Sequence, residues 1–279
     1  MGERLTSWAC AIALGCLISA PANVVAADVI PYGEIATGTG DIAAAWLSSP
    51  TDAYPHGVLG DDLEGMQLNV KLRSGQKLAY RLEDAVFEDN TPRIADLDGD
   101  GQAEVWTIIS DFFGGARLAA FAVTDGKLAP KFATDPIGRG FRWLNPLAVD
   151  DFDGDGKREA AYIETPHIGG ILTIVRPRGN RLEPVATMGG YSTHIMGSPH
   201  LDLGTSVDLD GDGGAEIVLP TQSRRQLAIV AFEDGRLVER WRSGQLPTIT
   251  GGLNVSVRDG AWWASYRGPD DSPQAVKLP

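Results

Sequence analysis

The chain has 279 residues, 43% hydrophobic and 22% charged, which is enough to bury a sizeable core. Its 37 acidic and 24 basic side chains leave a formal net charge of −13, which argues against nucleic acid and anionic lipid surfaces as partners. Both cysteines, Cys10 and Cys16, fall within the leader described next, so no disulfide or thiol chemistry is expected of the rest.

Residues 1–27 read as a secretory signal. Arg4 precedes an apolar stretch from Trp8 to Ala20, and small residues then run to Val-Ala-Ala, which places cleavage near Ala27. That stretch is short for a membrane span, and no other segment approaches the length needed. The expectation is a periplasmic or secreted monomer without a membrane span, with residues 28–279 forming one domain. Loss of the leader leaves the charge at −13, because Glu3 and Arg4 cancel.

"TGTGDIAAAWL" at 37–47 has a turn followed by a strand pattern. "IADLDGDGQAEVWTI" at 94–108 then gathers Asp96, Asp98, Asp100 and Glu104, which repel one another at neutral pH. The same arrangement returns in "VDDFDGDGKREAAYI" at 149–163, with Asp151, Asp153, Asp155 and Glu159, and in "SVDLDGDGGAEIVL" at 206–219, with Asp208, Asp210, Asp212 and Glu216. The first aspartates lie 55 and 57 residues apart. A single D-G-D-G suits a hairpin turn. Three copies, each with the same outlying glutamate, indicate a shared ligand.

Oxygen donors at alternate positions of a tight loop match the needs of calcium. The first, third and fifth residues offer carboxylates, the backbone carbonyls of Gln102, Lys157 and Gly214 stand at the seventh, and the glutamate closes the sphere at the ninth. Magnesium demands a stricter octahedron, and zinc prefers His or Cys. An EF-hand would need a glutamate at the twelfth position and flanking helices, but Thr107, Tyr162 and Leu219 stand there, ahead of or within strand-forming runs. Three calcium hairpins, each joining two strands, are expected.

A period near fifty-five without helical patterning predicts a β-propeller of four-stranded blades. One unit reads as strands near 146–150, 159–164, 170–176 and 181–187, and the next as strands near 205–208, 215–219, 226–233 and 236–242. Short turns, "TDGK", "RGNR" and "EDGR", join third to fourth strands. "RDGAWWASY" at 258–266 and the stretch at 37–47 continue the phase without the carboxylates, which makes five blades. The last unit lacks a fourth strand, so residues 29–35 are expected to supply it and close the ring.

These loops resemble those of the FG-GAP (VCBS) repeat family, the calcium-bearing propeller blades of integrin alpha chains and many exported bacterial proteins. The resemblance covers 94–243 clearly and both ends by phase, and "FFGGA" at 112–116 is the nearest echo of the family signature. It implies a binding or scaffold module for a protein or glycan ligand, not an activity.

In such a fold the calcium hairpins share one face, and the opposite face receives the second-to-third and blade-to-blade loops. Those loops carry Arg139, Arg142, Trp143, Asn145, His167, Tyr191 and His194, taken as candidate ligand-binding residues, with Tyr54, His56, Glu164, His200, Arg224 and Arg225 nearby in the reading. Aromatic, Arg, His and Asn side chains suit a sugar or an anionic group. The same residues also suit packing between blades. A zinc site from His56, His167, His194 and His200 lacks any ligand spacing. No catalytic motif is present, so no catalytic residue is assigned. Glu164 beside His167 is the one acid–base pair in the reading. The alternatives to a binding module are a periplasmic enzyme acting on glycans or phosphoesters and a structural subunit of an envelope assembly.

Overall fold

Valine, isoleucine, threonine and aromatic residues fill the segments that become strands, as their branched side chains favour. The computed structural model describes residues 29–279, so the signal expected over 1–27 lies outside them. Among the described residues the protein is all-β, without an α-helix and with one 3-10 turn at Pro269–Asp271. No helix there is long and apolar enough to cross a membrane.

The strands fall into five successive antiparallel groups. The first holds β1 (Ala36–Thr37), β2 (Ile42–Thr51), β3 (Glu64–Leu72) and β4 (Lys77–Arg81). In the second, the short β5 (Val86–Phe87) and β6 (Arg93–Ala95) both pair with β7 (Glu104–Asp111), followed by β8 (Gly115–Thr124) and β9 (Lys127–Ala133). The third comprises β10 (Leu144–Asp150), β11 (Glu159–Glu164), β12 (Ile171–Arg178) and β13 (Arg181–Gly189). The fourth comprises β14 (Thr205–Val207), β15 (Glu216–Pro220), β16 (Leu227–Glu233) and β17 (Arg236–Arg242). The fifth has three strands, β18 (Gly251–Arg258), β19 (Ala261–Arg267) and β20 (Pro273–Lys277). Hydrogen bonding links the first three groups into a 13-stranded sheet, but each link is one residue pair, Gly65 with Phe87 and Ala133 with Arg181.

The core lies between consecutive groups, and the second strands show why their sequences are continuously apolar. Val105 and Ile109 of β7 pack toward the first group, while Trp106 and Ile108 pack toward the third. Ala160 and Tyr162 of β11 face the second group, and Ala161 and Ile163 face the fourth. Ile217 and Leu219 of β15 face back, and Val218 faces the fifth group. Side chains alternate across a strand, so a strand covered on both faces must be apolar at every step. The fourth strands are different. β13 and β17 each bury one residue, Leu182 and Leu237, leave the others half-buried or exposed, and carry charges such as Arg181, Glu183, Glu239 and Arg242, which keeps an outer edge from pairing with another chain.

Asp125–Gly126 and Asp234–Gly235 have positive φ, 51° and 72° and then 49° and 74°, the geometry of tight hairpin turns. Asp259–Gly260 does the same at the phase expected for the degenerate last unit.

The expected closure is corrected. Residues 29–35 do not pair with β19 or β20. The Ile30 amide donates to the Leu47 carbonyl (3.2 Å) and the Glu34 amide to the Asn90 carbonyl (3.1 Å). Ile30 is buried against Leu47 and Leu68, so its nearest apolar socket is in the first group. No core cluster joins the first and fifth groups among the described residues.

Ile174 on β12 is fully buried between the third and fourth groups. Ile174→Ala is expected to cost about 2–5 kcal/mol in urea unfolding. Ile171→Ala, at a position 37% exposed, should cost far less.

Candidate metal loops and the opposite loop face

Each acidic loop joins the first and second strands of its group and is folded by its own carboxylates. In the loop from β6 to β7, the amides of Gly99 and Gly101 donate to the two oxygens of Asp96 (2.7 and 3.0 Å), and the Leu97 amide donates to Glu104 Oε2 (2.9 Å). Between β10 and β11, Asp155 and Gly156 donate to Asp151 (3.1 and 2.8 Å), and Phe152 to Glu159 (3.1 Å). Between β14 and β15, Gly211 and Gly213 donate to Asp208 (2.7 and 3.2 Å), and Leu209 to Glu216 (2.8 Å). Positive φ at Gly101, Gly156 and Gly213 lets the chain turn toward these acceptors.

Three donor sets result: Asp96, Asp98 and Glu104; Asp151, Asp153 and Glu159; Asp208, Asp210 and Glu216. In each, carboxylate oxygens lie within 4.8 Å of one another. Such all-oxygen clusters could hold a metal ion and are compatible with calcium. The fifth-position carboxylates stand outside these sets. Asp100, Asp155 and Asp212 instead each accept the amide of the seventh residue, Gln102, Lys157 and Gly214, at 2.8 Å. A side chain reaching an amide two residues on is a short local closure, and Asp98, Asp153 and Asp210 make the same contact within the donor sets (3.4, 3.4 and 3.2 Å).

The closing glutamates are the buried members: Glu104 and Glu159 are fully buried and Glu216 is 7% exposed. Burial pushes each of their carboxyls up from its ordinary range by disfavouring the charged form, and a positive charge close by opposes that shift. Two cations missed in the sequence supply one. Lys131 of β9 lies 2.8 Å from Asp98, 2.9 Å from Asp100 and 2.7 Å from Glu104. Arg176 of β12 bonds Asp153 and lies 2.6 Å from Glu159. In the third loop Arg240 of β17 instead bonds Glu233, and no ion pair holds Glu216 among the described residues. Nothing in their local sequence marks Lys131 or Arg176, because they come from other strands.

Antiparallel order puts the second-to-third and group-to-group loops at the other end. There Trp143, buried at the start of the third group, stacks on His167 (centroids 6.2 Å, 10°) and meets His194 edge-on (4.7 Å). Its indole N–H donates to the Glu88 carbonyl (2.9 Å). His167 Nε2 and His194 Nδ1 are 2.8 Å apart. Asn145, fully buried, donates to the carbonyl and hydroxyl of Thr193 (3.0 and 2.9 Å) and so anchors the loop carrying His194.

Of the predicted ligand residues, Trp143, His167 and His194 therefore meet, with Asn145 behind them. Tyr191 does not join them; it is buried, and its hydroxyl donates to Glu239 (2.7 Å). Arg139 is exposed, and Arg142 turns back to the Phe141 carbonyl (2.9 Å). The Glu164–His167 pair is not formed, since the His167 bond goes to His194. The four histidines make no metal set: His56 bonds Glu88, and His200 lies beside Arg267.

Sequence reading also missed two buried acids between the first and second groups. Glu88 is fully buried, bonded to His56 Nδ1, and accepts the Ser110 hydroxyl. Glu64 is 1% exposed, and its Oε1 has no partner. Burial, then the charges of Glu88 and Asp61, push the Glu64 carboxyl up to about 10. A folded-state pKa above the unfolded one means stability is full below the unfolded pKa and falls as pH rises toward 10, by about 1.4 kcal/mol per pH unit at the steepest. Glu64→Gln removes that titration. Its melting temperature should exceed that of the parent by a margin that widens from pH 5 to pH 9.

No family model matches the chain, and no curated protein matches it. Among the solved structures that match is the rhamnogalacturonan lyase YesW, with a TM-score of 0.45 and 15% sequence identity over 74% of this chain. The match covers 50% of that structure, so this chain spans half the length of that neighbour.

Proposed function

We propose that this protein is an exported calcium-binding module: a β-propeller of FG-GAP-like blades that acts as a scaffold and holds a protein or glycan ligand on the face opposite the acidic loops. The observation that carries the reading is the recurrence, in three loops, of one hydrogen-bond scheme around a first aspartate, with a buried glutamate closing each donor set. Hard carboxylate oxygens, glycines that permit the turn and strands on either side all suit calcium. Asp96, Asp98 and Glu104, Asp151, Asp153 and Glu159, and Asp208, Asp210 and Glu216 would hold it. The ion would supply charge and a cross-link between the first and second strands. Lys131 and Arg176 are competitors of calcium in the first two loops, and among the described residues no ion pair occupies the third. It should fill first.

Elemental analysis after dialysis against calcium should give three ions per chain, and Asp98→Asn, Asp153→Asn and Asp210→Asn should each remove one. An ion a hundredfold above its Kd stabilises the folded loop by about 2.7 kcal/mol. Modules outside cells bind at roughly 10⁻⁴–10⁻³ M, so the gain per site is smaller. Chelator should lower the melting temperature by several degrees, and magnesium should restore little of it. Melting that ignores chelator at neutral pH would overturn the reading.

A further inference from the structure

Arg224 lies in the loop from β15 to β16 with φ of 54°, a left-handed conformation that is costly for a residue other than glycine. Its amide donates to the Thr221 carbonyl (2.8 Å), and its carbonyl accepts from the Ile249 amide (2.8 Å), so the backbone fixes where the side chain begins. Nη1 donates to Ser192 Oγ (3.1 Å) and the His194 carbonyl (3.4 Å). Nε is buried without an acceptor. Burial alone pulls on this guanidinium, and no carboxylate offsets it among the described residues. In a chain of net charge −13, where Lys131, Arg176 and Arg242 each hold a carboxylate, a half-buried cation without a counter-charge is an uncompensated cost.

The neighbouring histidines have one consistent arrangement of hydrogens. His194 Nε2 lies 2.8 Å from the Ser198 carbonyl, which can only accept, so Nε2 carries the hydrogen and Nδ1 is bare. His167 Nε2 must then donate to that Nδ1 across 2.8 Å. Burial and the Arg224 charge hold His167 down at about 4, and burial holds His194 down at about 3, so both are neutral at pH 7. Neutral His167 is left with a bare Nδ1, an acceptor without a hydrogen-bond partner among the described residues. Its ring is backed by Trp143. The surrounding loops are locked: Gln222 donates to the Pro166 carbonyl (2.9 Å) and Ser192 to the Pro220 carbonyl (3.1 Å). A Cβ on Gly170 would fall 1.5 Å from the Tyr191 carbonyl oxygen.

One rigid patch thus offers a fixed cation and, beside it, a hydrogen-bond acceptor. We propose that Arg224 and His167 bind a hydroxy-carboxylate, the acid group of an acidic sugar or similar polyol acid, with the carboxylate at the free end of the guanidinium and a hydroxyl donating to His167 Nδ1. A single cation suffices for one negative charge, and the net charge of −13 around it disfavours a dianion such as phosphate more than a monoanion. The site deepens the reading of this face as the binding face and is independent of the metal in the acidic loops.

The test is an NMR titration of the calcium-replete full chain, following the ring resonances of His167 and His194, with glucuronate, glucose and inorganic phosphate in turn at millimolar concentration. Glucuronate should shift both rings, and glucose and phosphate should leave them in place. Arg224→Gln should weaken glucuronate by about tenfold or more, the loss of a charge-assisted contact, while Arg225→Gln at the exposed neighbouring position should change nothing. Equal response to glucose, tighter binding of phosphate, or silent rings overturns the site, and these outcomes are read on the parent protein whether or not the variant folds. Glucuronate binding unchanged in a folded Arg224→Gln overturns it too. Calcium content, measured on the same sample, reports on the metal reading separately.

Discussion

A buried carboxylate at the first residue of a central strand is the constraint on which the acidic end of this protein depends. Glu104, Glu159 and Glu216 each open the second strand of a group, where both faces are covered, and each accepts an amide from the loop that precedes it. The loop is thereby tied to the strand. Burial disfavours that charge, and a cation beside it offsets the cost. Lys131 meets the need from the fourth strand of its group and Arg176 from the adjacent third strand, and a divalent ion would meet it more completely, because several oxygens already converge.

The two ends of the groups are built on different physics. At the acidic end the loops fold on their own side chains and lie exposed, with glycines at the turns. At the other end the loops fold on one another. The amides of Gly138 and Arg139 donate to the Gly114 carbonyl (2.8 and 3.0 Å), and Ala116 donates to the Arg142 carbonyl (2.9 Å). Gly140 lies so close to Phe112 that a Cβ would stand 2.0 Å from its carbonyl oxygen. Tyr54 buttresses the same loops by accepting the Phe141 amide (2.7 Å) and stacking on its ring (4.8 Å). Interlocked loops hold side chains in place without a metal, and there Trp143, His167, His194 and Arg224 come together.

Charge is distributed to match. The net −13 reflects the carboxylates of the exposed acidic loops together with a scatter of surface acids. Between the first and second groups Glu64 and Glu88 are both buried, the charge of Glu88 helps push the Glu64 carboxyl up, and of the two only Glu88 has hydrogen-bond partners, His56 and Ser110. That pocket of unfavourable charge lies in the same part of the molecule as the aromatic cluster of Tyr54, Phe112 and Phe141.

The positions of the three acidic loops, the strands beside them and the Asp259–Gly260 turn were all legible in the amino-acid sequence, because each depends on residues within about ten positions. An Asp–Gly turn and an apolar run that must bury both faces act locally. The partners that complete each region were not legible. Lys131 reaches Glu104 across 27 residues, Arg176 reaches Glu159 across 17, and His167 meets His194 across 27. Tyr191, Arg139 and Arg142 share loops with Trp143 and His194 yet point elsewhere, since the direction of a loop side chain is set by what packs beneath it. The attachment of Ile30 to the first group was likewise decided by the nearest apolar socket, Leu47 and Leu68, which exists only once β2 and β3 have paired.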